Sequence, residues 1–277
     1  MEVSKRLMLL FLLLGLAQDR RDLEYAKGLK LDLYLPVEAD APYPVILWIH
    51  GGGWRGGSKE RCGARDLTNR GFAVASINYR LSQEATFPAQ IHDCKAAVRW
   101  LRANAKKYRL NPDKIGAWGA SAGAHLAALL GTAGDVKDLE GDLGNPGVSS
   151  RVQAVCDWFG PTDFLQMNAH MRPGAGLDHD AEDSPESLLI GGAIQHNKEK
   201  VARANPITYV SRDDPPFLIM HGDRDAVVPS HQSEILHEAL KKAGVDSTYH
   251  VVRGAGHGFG GPENMRKVEE FFNRHLK

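Results

Sequence analysis

The sequence predicts an α/β protein with a mostly parallel central sheet flanked by helices on both faces. Short apolar runs rich in β-branched residues recur at 45–49, 72–77, 115–118, 152–158, 217–220 and 248–252. Their continuous rather than alternating character suits strands buried on both faces. Helical periods lie between them at 89–107, 122–130, 231–243 and 263–275, with Gly244 placed as a C-terminal stop. Strand and helix thus alternate through most of the chain, as in βα units stacked into one sheet.

Two stretches depart from this order. Residues 29–35 (LKLDLYL) alternate with period two and stop at Pro36, which suits an antiparallel edge strand. Residues 162–205 are rich in Gly, Pro, Asp, His and Asn, have no strong period, and separate two expected core strands. They read as an insertion, either a lid or substrate wall or a solvated surface loop. The remainder of 18–277 reads as one domain.

Charge and cysteine content narrow the function classes. The 34 Lys+Arg balance 34 Asp+Glu without a basic run, so nucleic acid is not an expected partner. Cys62, Cys94 and Cys156 are too few and too scattered for a zinc knuckle or a disulfide framework and read as small hydrophobes. The His- and Asp-rich stretch 170–183 lacks a helical ligand spacing, so neither metal nor cofactor is expected. At the N-terminus Lys5 and Arg6 precede an unbroken apolar run at 7–14, then Gly15 and Ala17. That is the pattern of an export signal cleaved before Gln18, and the run is far shorter than the roughly 20 residues a membrane-spanning helix needs. Without a following cysteine to carry a lipid, the expected product is secreted or periplasmic with no stable membrane anchor.

The chemistry-bearing motifs sit at predicted strand ends. Gly119, Ala120, Ser121, Ala122 and Gly123 follow the strand 115–118 and open the helix 122–130. A serine on so tight a turn needs small residues two before and two after it, and it stands at a helix N-terminus that favours developing negative charge. His50, Gly51, Gly52, Gly53 and Trp54 close the strand 45–49. Consecutive glycines leave N–H groups free to converge, so Gly52 and Gly53, with Ala122 next to the serine, are the expected oxyanion donors. Trp54 either offers a flat face to a substrate ring or simply packs. A serine nucleophile needs a base and an orienting acid. His257, set among Gly254, Gly256 and Gly258 after the last strand, is the candidate base, and Asp223 or Asp225 the acid. His50, His125 and His221 read as structural.

Taken together, LDLYLP at 31–36, HGGGW at 50–54, GASAGAHLA at 119–127, FGPTD at 159–163 and HGDRDAVVP at 221–229 are similar to the bacterial feruloyl-esterase and acetyl-esterase-like group of carboxylesterases. That group is related to the hormone-sensitive-lipase type, and the resemblance covers nearly all of 18–277. It implies the α/β-hydrolase fold and a triad in the chain order Ser121, Asp225, His257, which selects Asp225 and leaves Asp223 a turn role. It also implies hydrolysis of a small-molecule or carbohydrate-linked ester, often acetyl or feruloyl. Ala124 stands where a second glycine is usual, and the short N-terminal region leaves little for a helical cap, which disfavours long-chain lipids. Rival expectations are a kynurenine-formamidase-like amidase, a serine peptidase, and a non-catalytic binding protein that would have lost a triad residue. Oligomeric state stays open.

Overall fold

A strand sends successive side chains to opposite faces, and the central strands bury both sets. In the computed structural model, which describes residues 19–37 and 39–277, Ile115 and Ala117 join one core while Trp118 joins the other. Phe217 and Ile219 likewise oppose Leu218 and Met220. The export signal expected at 1–17 lies outside the described residues.

Eight strands form one sheet: β1 (Arg20–Ala26), β2 (Leu29–Tyr34), β3 (Tyr43–Ile49), β4 (Ala73–Ile77), β5 (Leu110–Ala120), β6 (Ala154–Trp158), β7 (Phe217–Gly222) and β8 (Ser247–Val252). Their order is β1-β2-β4-β3-β5-β6-β7-β8. The pairs β1/β2 and β2/β4 are antiparallel and the rest parallel. Six helices matter here: α1 (Ala89–Ala103), α2 (Ala122–Thr132), α3 (Pro185–Ile190), α4 (Lys198–Ala204), α5 (His231–Ala243) and α6 (Pro262–Leu276). Ile91 of α1, Leu126 of α2 and Leu236 of α5 pack on one face of the sheet. Val268 and Phe272 of α6 cover the other, with Trp48, Trp118 and Trp158. The mostly parallel α/β architecture is therefore as the sequence predicts.

Two expectations are corrected. The segment 29–35 is not the sheet edge, because β1 pairs along its outer side. The sequence of β1, RRDLEYA, carries charges where an alternating strand would show apolar residues. What holds it is the buried Asp32 carboxylate of β2, which accepts from Arg21 Nη1 at 2.8 Å, Asp22 N at 2.9 Å and Lys59 Nζ at 2.9 Å. The helix expected over 89–107 ends at Ala103, and after Asn104 a separate turn runs Ala105–Tyr108. Gly244 closes α5 as expected, with φ +85°.

Cys94 and Cys156 are buried, Cys62 is half-buried, and all three are free thiols. Among the described residues no helix is long and apolar enough to cross a membrane.

Phe272 locks α6 to the sheet over Gly116, where an added Cβ would meet the ring at 2.8 Å. We expect Phe272→Ala to cost about 3–5 kcal/mol through lost burial and the cavity left behind. Urea denaturation monitored by tryptophan fluorescence measures it, and a loss below about 1 kcal/mol would contradict this packing.

Candidate active site

The parallel strands bring their C-terminal ends to one edge of the sheet, where open α/β sheets bind ligands. Between β5 and α2 the chain turns on a single residue, Ser121, with φ 55° and ψ −124°. This backbone conformation is unfavourable for a residue with a side chain, by about 1–3 kcal/mol, and persists only where neighbours impose it. Here Ser121 N donates to Trp158 O at 2.9 Å, while its carbonyl accepts from Ala124 N at 2.8 Å and His125 N at 3.1 Å. The flanking glycines are required by contact. A Cβ on Gly119 would lie 2.1 Å from Gly123 O, and one on Gly123 2.1 Å from Ile49 O.

The structure brings His257 and Asp225 to this serine. His257 Nε2 lies 2.9 Å from Ser121 Oγ, and its Nδ1 lies 2.7 Å from Asp225 Oδ2. An ionised carboxylate only accepts, so Nδ1 carries the proton and Nε2 presents a lone pair to the serine hydroxyl. The edge of Phe159 backs the imidazole, ring centroids 4.7 Å apart. Asp225 Oδ1 accepts from Val227 N at 2.7 Å and Val228 N at 3.0 Å. Burial by itself would raise the Asp225 carboxyl. Hydrogen bonds from His221 and His257 outweigh it and hold the group well below the usual carboxylate range.

His221 has a role the sequence did not reveal. Its Nε2 lies 3.2 Å from Asp225 Oδ2 and 3.0 Å from Val228 O, two acceptors, so it donates between them. Its Nδ1 accepts from Ser233 Oγ at 2.7 Å. The contact with Asp225 depends on how the turn after β7 folds back, which a strand-end histidine does not announce. Asp223 accepts from Gly254 N at 2.6 Å, tying the turn to the start of the His257 loop. Arg224 N adds a bond to Ala255 O at 2.8 Å.

Past β3 the chain turns sharply: Gly52 has φ +116° and Gly53 φ +58°, and Gly52 O accepts from Arg55 N and Gly56 N. A Cβ on Gly52 would lie 2.3 Å from Gly56 O. Gly52, Gly53 and Ala122 line one cavity with Ser121 and His257. His50 stacks on Tyr79, whose hydroxyl donates to His50 O at 3.0 Å. The expectation that Trp54 offers a substrate a flat face is corrected. Its ring is 1% exposed and wedged against His125 and Phe164, so it contributes packing to the cavity wall.

The cavity measures about 460 Å³, within the range of small-molecule sites. Phe159, Pro161, Val227 and Val228 supply apolar wall, and residues 162–205 add Leu177, His179, Pro185 and Glu186. His125 is fully buried, its pKa pushed down to about 4 by burial, and its Nε2 donates to Ala204 O at 2.8 Å. It therefore anchors the insertion to α2 as a neutral donor. In the stretch 170–183, His170 stacks on His231. Among the described residues no three His, Cys, Asp or Glu side chains are grouped to hold a metal.

Fold and site together define a member of the α/β-hydrolase class with a serine, a histidine and an aspartate in triad geometry. The chain belongs to the BD-FAE family, whose model matches residues 31–240. Among curated proteins it is 32% identical over 222 residues to the esterase LipC of Mycobacterium tuberculosis, covering 79% of this chain and 53% of that protein. The chain spans about half the length of the curated relatives it matches. Among solved structures, a truncated carbohydrate esterase from gut microbiota superposes with TM-score 0.87 at 38% identity, covering 93% of this chain and 95% of that one. A bifunctional GH43-CE protein of Bacteroides eggerthii gives 0.86 at 41% identity, over 92% of this chain and 38% of its own.

The two aspartates separate by experiment. Asp225→Asn leaves His257 free to adopt the wrong tautomer and is expected to cost about 10⁴-fold in kcat. Asp223→Asn only loosens the turn and should cost far less. Turnover of an aryl acetate, with near-UV circular dichroism to verify folding, decides, and a folded Asp223→Asn enzyme slower than Asp225→Asn would reverse the assignment.

Proposed function

We propose that this chain is a serine carboxylesterase acting on short-chain or carbohydrate-linked esters, acetyl or feruloyl among them. The observation that carries the reading is the unbroken hydrogen-bonded line from Asp225 through His257 to Ser121 at the floor of a small-molecule cavity. In this reading Ser121 Oγ attacks the ester carbonyl carbon as His257 Nε2 takes its proton. The carbonyl oxygen, now an oxyanion, accepts from the N–H groups of Gly52, Gly53 and Ala122. Asp225 stays ionised and stabilises the imidazolium without taking the proton. His257 then protonates the departing alkoxide, leaving an acyl group on Ser121, and water repeats the sequence to release the acid.

Support for the substrate class comes from the cavity and from likeness. One cavity must house both acyl and alcohol parts, so the gain of about 0.8 kcal/mol per buried methylene ends once the apolar wall is covered. The polar residues Arg55, His179 and Glu186 interrupt that wall. The similar protein from gut microbiota is a carbohydrate esterase. Residues 162–205 serve in this proposal as the fixed wall of the substrate cavity.

A panel of acetyl, butyryl, octanoyl, feruloyl and N-formyl substrates, run with wild-type protein and Ser121→Ala, tests the proposal. We expect short acyl esters or feruloyl esters to lead, and Ser121→Ala to lose about 10⁴- to 10⁶-fold with its fold intact. A fluorophosphonate should label Ser121 alone. Specificity constants that climb steadily to octanoyl, or preference for the N-formyl amide, would replace this substrate class with a lipase or amidase reading.

We further propose that residues 1–17 direct export, on the strength of the apolar run behind Lys5 and Arg6. Sequencing the N-terminus after expression in a secreting bacterium is expected to start at Gln18. A soluble cytoplasmic product retaining Met1 would overturn the proposal.

A further inference from the structure

An ionisable pair stands in the wall of the same cavity, apart from the triad. His179 and Glu186 are each only 3% exposed, and both line the cavity. Their nearest atoms, Nδ1 and Oε2, are 3.2 Å apart. His179 Nε2 lies 3.0 Å from Val227 O. The Val227 carbonyl only accepts, so Nε2 carries a proton, while Nδ1 faces the Glu186 carboxyl. Burial works against the charged imidazole; Glu186 next to it outweighs burial and raises the His179 pKa.

The pairing leaves Glu186 incompletely satisfied. Neither Glu186 Oε2 nor the His179 Nδ1 that faces it makes an aligned hydrogen bond, although both residues are buried. A carboxylate has about four lone-pair sites, and a single partner to one side engages at most one of them. A buried carboxylate in a largely apolar wall is costly unless donors complete its shell. A hydrocarbon ligand filling the cavity would strip away water and supply no donor. A ligand carrying hydroxyl groups would supply several, and hydrogen bonds to an ionised acceptor are the strong kind.

We propose that Glu186, held in place by His179, is the subsite that accepts hydroxyl groups of a sugar or other polyol forming the alcohol part of the ester. This rests on the esterase reading and adds a recognition element to it. His179 acts as a positioning residue, since it links Glu186 to the turn that carries Asp225 through Val227 O. The wall thus discriminates on the donor content of the alcohol, while the acyl group is selected by space.

The test compares two acetates of similar ring size, a methyl O-acetyl-xyloside with free hydroxyls and tetrahydropyranyl acetate with none. For wild type, Glu186→Gln and Glu186→Ala, the quantity read is the ratio of their kcat/KM values. We expect Glu186→Ala to lower the ratio in favour of the sugar ester by roughly ten- to hundredfold, the size of a hydrogen bond to a charged group. Glu186→Gln keeps the shape and one carbonyl acceptor, so its ratio should fall less. A role confined to holding the wall would slow both substrates alike and leave the ratio unmoved in both variants, which overturns the subsite alone. Wild-type protein inert toward both acetates overturns the esterase reading and the subsite with it.

Discussion

The site depends on one close approach of backbone to backbone, where the start of α2 presses against the ends of β3 and β5. Gly123 sits so near Ile49 O, and Gly119 so near Gly123 O, that neither position has room for a methyl group. With helix and strands at that separation, only a one-residue turn can join β5 to α2, and Ser121 takes the positive φ the turn demands. The same contact brings the glycine turn after β3 alongside the serine: a Cβ on Gly51 would meet Ala120 O at 2.7 Å. Nucleophile and candidate oxyanion donors are therefore placed by a single packing constraint.

The acid and the base are placed by a different device, a carboxylate surrounded by donors. Asp225 accepts from two backbone N–H groups and faces the imidazoles of His257 and His221. Low local dielectric makes such a group expensive when underpaired and strongly ordering when fully paired. Because its donors come from the turn itself, from β7 and from the loop after β8, the carboxylate gathers three segments around it. Asp223 reinforces the arrangement one turn away by fastening Gly254, so the two aspartates divide the work of orienting His257 and of holding its loop.

How far the sequence could be read follows from the range of each determinant. The buried strands and the elbow pentad were legible because their requirements are local: apolar on both faces, or small beside a tight turn. Strand β1 was not, because its pairing rests on Asp32 and on Lys59, a partner far along the chain. Trp54 lies beside the glycine turn, yet its ring points into the core toward His125 and Phe164, a direction that adjacency in sequence does not convey. His221 escaped because its partners Asp225, Val228 and Ser233 meet it only when the turn after β7 folds back, and His179 because its partner Val227 lies on that turn, far along the chain. The aspartate choice was legible by resemblance alone, and the geometry places Asp225 against the imidazole and Asp223 against the loop backbone.

Residues 162–205 show how a segment without strong periodicity can still be built into the site. Thr162 N and Asp163 N both donate to Gln232 Oε1 at 2.7 Å, fixing its start to α5. Its far end is held by His125 of α2 through Ala204 O, and its middle by His179 through Val227 O. Each anchor lies on an element that also carries or follows a site residue: α2 behind Ser121, the turn of Asp225, and α5 directly after it. Opening the wall would leave several buried donors and acceptors unpaired at once, at about 1–3 kcal/mol for each. The wall and the triad are consequently coupled through hydrogen bonds and not merely adjacent. A displacement of His179 would be felt at Val227, whose own N–H holds Asp225.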